Sequence, residues 1–155
     1  MRTLLGTWLT CAFLSVFTAD VRGAGAGEDD IDVIVHPSAP ASRLSSAELE
    51  AIFTRTQTRW SDGTAVVPLS FPADSTVRAL FDRAVLRLDA DQVARFWLDR
   101  RIRGLGAPPK QVLSPTLMLN VVRNLRGSIG YLPSQRGRTG VKVVARIVQG
   151  KVSPQ

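Results

Sequence analysis

The chain has 155 residues, a formal net charge of +7 and one cysteine, Cys11. That length fits one domain of common size with an ordinary core, and a lone cysteine excludes any disulfide within the chain. The charge is lopsided: residues 1–92 carry 8 basic and 12 acidic side chains, whereas residues 93–155 carry 12 basic ones and a single acid, Asp99.

Residues 1–26 read as a cleavable secretory signal peptide. Arg2 supplies the positive start, residues 4–17 form an apolar run too short to span a bilayer comfortably, and Ala24-Gly25-Ala26 offers small residues to a signal peptidase. The expected cut follows Ala26, with Ala19 and Ala24 as alternatives. Cys11 lies behind the bulky Trp8-Leu9 pair, a poor context for lipidation, so a soluble, exported, cysteine-free domain over residues 27–155 is expected.

Residues 31–36 predict a short buried strand closed by Pro37. Ser45 and Glu48, three apart, form a capping-box signature ahead of a helix with Leu49, Ile52 and Phe53 inward. Asp62-Gly63 marks a turn and residues 65–70 a second strand. Over residues 74–87 the spacing of Val77, Leu80, Phe81, Ala84 and Val85 predicts one amphipathic helix capped by Asp74 or Ser75. Another starts at Asp89, with Gln92 as its capping partner, and ends at Gly104-Leu105-Gly106-Ala107-Pro108-Pro109. Ser114-Pro115 opens a helix to about Asn124, residues 128–132 and 141–147 read as closing strands, and residues 27–30 and 148–155 read as loose. The alternation predicts an α/β domain with a largely parallel sheet flanked by helices.

The chemistry-bearing residues are few. His36 is the only histidine, so no histidine metal cluster forms, and no nucleophile–base pair or phosphate-loop motif is legible. The expectation is therefore a non-enzyme with no metal and no cofactor. The cationic C-terminal half points to a small oxyanion, an anionic surface or an acidic protein, or is simply a solvated basic face. Export disfavours nucleic acid.

The constellation Pro72-Ala73-Asp74-Ser75-Thr76-Val77-Arg78 lies where a strand gives way to a helix. Free backbone N–H groups, the positive helix end, two hydroxyls and a guanidinium there suit an oxyanion. Ser38 and Ser42 join this edge if the first two strands end on the same side of the sheet. Simple capping by Asp74, Ser75 and Thr76, with Arg78 in a salt bridge, explains the same residues.

The order of segments also resembles the periplasmic phosphate-binding protein family, the solute-binding component of the phosphate ABC transporter. The resemblance is carried by residues 44–53, the run Thr58-Arg59-Trp60-Ser61-Asp62-Gly63, Val66-Val67-Pro68-Leu69 with Ala73-Asp74-Ser75-Thr76 and Phe81, Gly104-Leu105-Gly106, and Gly127-Ser128-Ile129-Gly130-Tyr131-Leu132. It spans residues 31–133 and is nearest to short, single-domain relatives. Ser70-Phe71-Pro72 stands where the family turn carries an arginine, and both glycines of that turn are missing.

The resemblance implies a single-lobe binding-protein-like fold. It also implies a periplasmic location and phosphate or a similar oxyanion held by Ser38, Asp74, Ser75, Thr76 and Arg78, with an ABC permease as possible partner. The alternative is an envelope protein-interaction domain that kept the fold and lost the ligand site.

Overall fold

The computed structural model describes residues 30–134 and 139–155. The signal-peptide, cleavage and Cys11 expectations lie outside the described residues. Six strands form one sheet in the order β3-β2-β4-β1-β5-β6. They are β1 (Ile31–Val35), β2 (Val67–Ser70), β3 (Lys110–Gln111), β4 (Ser128–Pro133), β5 (Lys142–Val148) and β6 (Lys151–Pro154). The helices are α1 (Ser46–Phe53), α2 (Thr76–Phe81), α3 (Ala90–Ile102) and α4 (Pro115–Asn124).

The α/β class is as the alternation predicts, but the sheet is not mainly parallel. β2 pairs in parallel with β3 and with β4, while the β1–β4, β1–β5 and β5–β6 pairings are antiparallel. Two features account for this, one long-range and one local. β4 inserts between β2 and β1 and runs against β1. At the C-terminus, Gln149 and Gly150 both take positive φ, +49° and +74°, the backbone of a tight two-residue hairpin. Residues 148–155, expected to be loose, therefore supply the end of β5 and an extra edge strand.

Helix starts follow the sequence closely. Ser45 caps α1 in a reciprocal capping box with Glu48, and Asp89 does the same for α3 with Gln92. Ser45 donates backbone and hydroxyl hydrogen bonds to the Glu48 carboxylate, which hold it below the usual carboxylate range. The single helix predicted over residues 74–87 is instead α2 followed by a π-helical turn, Asp82–Leu86, which ends on Arg87 in the left-handed region. The wider turn lets the Arg87 N–H bond the Asp82 carbonyl.

The core lies on β1 and β4. All five residues of β1 are buried, and Val33, Ile34, Leu49, Ile52, Met118, Ile129 and Tyr131 are fully enclosed. Phe81 stacks on Tyr131 at 3.9 Å between ring centres and 3° between planes, and Phe53 and Phe71 meet these rings edge-on or tilted. Gly130 sits under α4 because an added Cβ would lie 2.5 Å from Met118 Sδ.

Candidate functional site

β3, β2 and β4 run in the same direction and end on one edge of the sheet. Two helices begin at that edge. α2 follows β2 through the turn at residues 71–75, and α4 follows β3 through residues 112–114. Ser75 Oγ accepts from the Arg78 N–H at 3.4 Å, and Ser114 Oγ accepts from the Leu117 N–H at 3.2 Å. Each hydroxyl satisfies one of the backbone donors that a helix start leaves over, and the rest remain for solvent or a ligand. Ser114 was legible in the sequence only as a cap; the crossover through β3 brings it to the same edge as Ser75.

Of the residues singled out, Asp74, Ser75, Thr76 and Arg78 lie together at this edge, with Asp74 and Thr76 exposed and Ser75 half-buried. Ser38 does not join them. β1 is antiparallel to β4 and β2 is parallel to it, so the two strands run in opposite directions. Val35 and Pro68 stand opposite the same residue, Ile129, and the His36 N–H bonds the Ser128 carbonyl. The chain beyond His36 therefore leaves at the edge where β2 begins, and Asp74 lies past the end where β2 stops. The first two strands thus end on opposite sides of the sheet, and Ser38 and Ser42 do not join the oxyanion cluster.

Arg78 is held on two sides. Its Nε donates to Asp82 Oδ2 at 3.2 Å and its Nη1 donates to the Phe71 carbonyl at 3.1 Å, leaving Nη2 outside both bonds. The pair is largely buried, with 14% and 11% of the two side chains exposed. Burial pushes the Asp82 carboxyl above its usual range, and the Arg78 charge and hydrogen bond pull only partly against that. Beneath the pair, the Tyr131 hydroxyl lies 2.9 Å from Ser70 Oγ and accepts from the Phe71 N–H at 3.4 Å. Burial raises the Tyr131 phenol far above its ordinary value, so it stays a neutral hydroxyl. Strand end, turn and helix are thus tied into one polar network under the turn. Ala73, Arg78, Ala79, Asp82, Ala90 and Val93 line a shallow cleft of about 20 Å³. That is room for about one water.

At the opposite edge the fold forms a contact with no local sequence signal. His36 Nδ1 lies 2.8 Å from Ser38 Oγ. The same nitrogen accepts the Ser38 backbone N–H at 3.1 Å, so the imidazole closes a local turn and its lone pair is already engaged. Among the described residues no third group orients the ring, and no group of three or more His, Cys, Asp or Glu is placed to hold a metal.

No family model matches the chain, and no curated protein does. Solved structures do. An ABC-type phosphate transport receptor from Vibrio cholerae is similar with a TM-score of 0.58 at 17% identity, covering 73% of this chain and 44% of the receptor. A putative phosphate ABC transporter substrate-binding protein from Clostridium perfringens, solved with bound phosphate, gives 0.59 at 19% identity, covering 73% and 43%. PstS from Borrelia burgdorferi gives 0.52 at 15% identity, covering 66% and 39%. The chain spans less than half the length of these proteins. The likeness shows that it has the fold of part of a periplasmic-binding-protein-like domain: one open mixed sheet flanked by helices.

Proposed function

We propose that the chain is a non-enzymatic, single-lobe solute-binding domain, exported to the periplasm, that takes phosphate or a similar oxyanion at the start of α2. The observation that carries this reading is that α2 and α4 both start at the edge where three parallel strands end, α2 on the Tyr131 face of β4 and α4 on the Gly130 face, the place where ligands of open α/β sheets collect. The backbone N–H groups of Thr76 and Val77, the Ser75 and Thr76 hydroxyls and the fixed Arg78 guanidinium present donors to one anion. Asp74 accepts a proton-bearing oxygen of the same ligand. Similarity to phosphate-transport receptors, one of them with phosphate bound, supports the choice of oxyanion.

The site is open. Its cleft holds about one water, so the anion sits at the mouth and stays wet. Asp82 neutralises much of the Arg78 charge, and affinity on the order of millimolar follows. Isothermal titration of the exported protein against phosphate and sulfate tests the reading. Saturable binding that disappears in Arg78→Ala supports it, and binding unchanged by Arg78→Ala overturns the assignment of the site.

A second reading has its own observation. The Arg78–Asp82 pair is complete without a ligand, which suits a domain that has kept the fold and uses its basic half for docking. Such docking weakens steeply with salt, since exposed charges are screened.

A further inference from the structure

The far end of α3 stands away from the core. Residues 101–107 are all exposed, and of the α3 side chains only Val93 and Trp97 are buried. Three large apolar side chains face solvent here: Ile102 at 77% exposure, Leu98 at 57% and Leu105 at 53%. Leu98 and Ile102 are four apart and lie one above the other on the helix. Arg95 falls on the same outward face, and Arg101 and Arg103 flank Ile102.

The tip is held in shape. Arg100 lies over the rings of Phe96 and Trp97, at 5.5 and 5.9 Å, and its Nη2 donates to the Leu105 carbonyl at 2.9 Å, folding Leu105 back against the helix. The one nearby acid, Asp99, is taken up by Arg103 at 2.8 Å. Asp91 lies at the other end of the helix. The result is a highly exposed, pre-formed tip of apolar side chains flanked by the Arg95 and Arg101 guanidinium groups, with Arg103 shared with Asp99 on the surface.

We infer that this tip is a docking surface for an anionic phospholipid bilayer. Charge complementarity selects an anionic partner, and the shape selects a bilayer. A protruding apolar tip inserts among headgroups without needing a matching pocket, while arginines beside it reach lipid phosphates. The inference is independent of the oxyanion reading, because α3 presents its outward face whether or not an anion occupies the start of α2.

Co-sedimentation of the exported protein with vesicles tests it, using equal parts phosphatidylglycerol and phosphatidylethanolamine against phosphatidylcholine alone. The parent protein is expected to bind the anionic vesicles, release from them as salt rises, and leave phosphatidylcholine vesicles largely unbound. Ile102→Ser with Leu105→Ser is expected to lower binding about tenfold, and Arg101→Gln with Arg103→Gln by a similar factor. All four positions are exposed, so these variants keep the fold, which circular dichroism checks. No vesicle binding by the parent at low salt, equal binding to both lipid mixtures, or undiminished binding by both double variants overturns the inference. The first result is also the one expected if an acidic protein covers the tip.

Discussion

Arg78 and Asp82 face each other at 3.2 Å across one turn of helix, at the point where α2 widens into its π-helical turn. The pair lines the cleft beside the proposed anion site, so any oxyanion recruited there shares Arg78 with a resident carboxylate.

That sharing makes binding pH-dependent in a defined direction. Asp82 titrates above its ordinary value of 3.8, so lowering the pH towards that raised value protonates it and releases the guanidinium. Its charged neighbour is Arg78; the nearby Tyr131 hydroxyl on β4 is neutral. Sulfate, which keeps its charge across this range, is expected to bind more tightly as the pH falls. Asp82→Asn is expected to bind sulfate roughly tenfold more tightly at neutral pH and to lose the part of the pH dependence that Asp82 carries, while that of the Asp74 carboxylate in the same site remains. Calorimetry at several pH values reads both effects.

Stability should carry two opposite acid signatures. The Asp82 carboxyl is raised in the fold, so its contribution to stability is present below pH 3.8 and is lost as pH rises through the folded value. Glu48 is lowered from 4.5 by its bonds to Ser45, so its contribution is present above 4.5 and is lost as pH falls through the folded value. Glu48→Gln is expected to flatten the second signature in urea unfolding followed against pH. Ser45→Ala, which removes the cap hydroxyl, is expected to cost about 1 kcal/mol at neutral pH.

Among the described residues, Gly127 is the least replaceable glycine. It has φ +81°, its carbonyl accepts from Trp60 Nε1 and from the Val67 N–H at 3.0 Å, and a side chain would run into the Ala65 carbonyl. Gly127→Ala is expected to lose about 3 kcal/mol or more, from left-handed strain and displaced β2 pairing together. Thermal unfolding checks it. Gly63, also at positive φ but with open space around its Cβ position, is expected to tolerate alanine at about 1 kcal/mol.

Tyr131→Phe removes the hydroxyl that joins Ser70 to the Phe71 N–H while keeping the ring stacked on Phe81. A loss of about 1–2 kcal/mol is expected from the unmade buried hydrogen bonds. If the network positions the turn, oxyanion affinity falls in the same variant. Denaturant unfolding and titration on the same sample separate the two effects.

Most elements were legible because their signals are local. The Ser45–Glu48 and Asp89–Gln92 boxes, the Ser114-Pro115 helix start and the apolar run of β1 each declare themselves within a few residues. Strand direction is not local. β4 pairs with both β1 and β2 across long stretches of chain, and that placement alone decides that Ser38 and Asp74 leave opposite edges. The Gln149-Gly150 hairpin had a sequence signal, a glycine between short alternating runs. Arg78 was legible as a candidate cation, whereas its bond to the Phe71 carbonyl depends on how the turn packs over Tyr131.

Backbone amide NMR during a phosphate titration reads oxyanion binding at the start of α2 residue by residue. Saturable shifts are expected, concentrated at Ser75, Thr76 and Val77, with smaller ones at the start of α4, and they are expected to be lost in Arg78→Ala. Shifts that map to α3 or to the His36–Ser38 turn instead, or no saturable shift at millimolar phosphate, would contradict binding at that site.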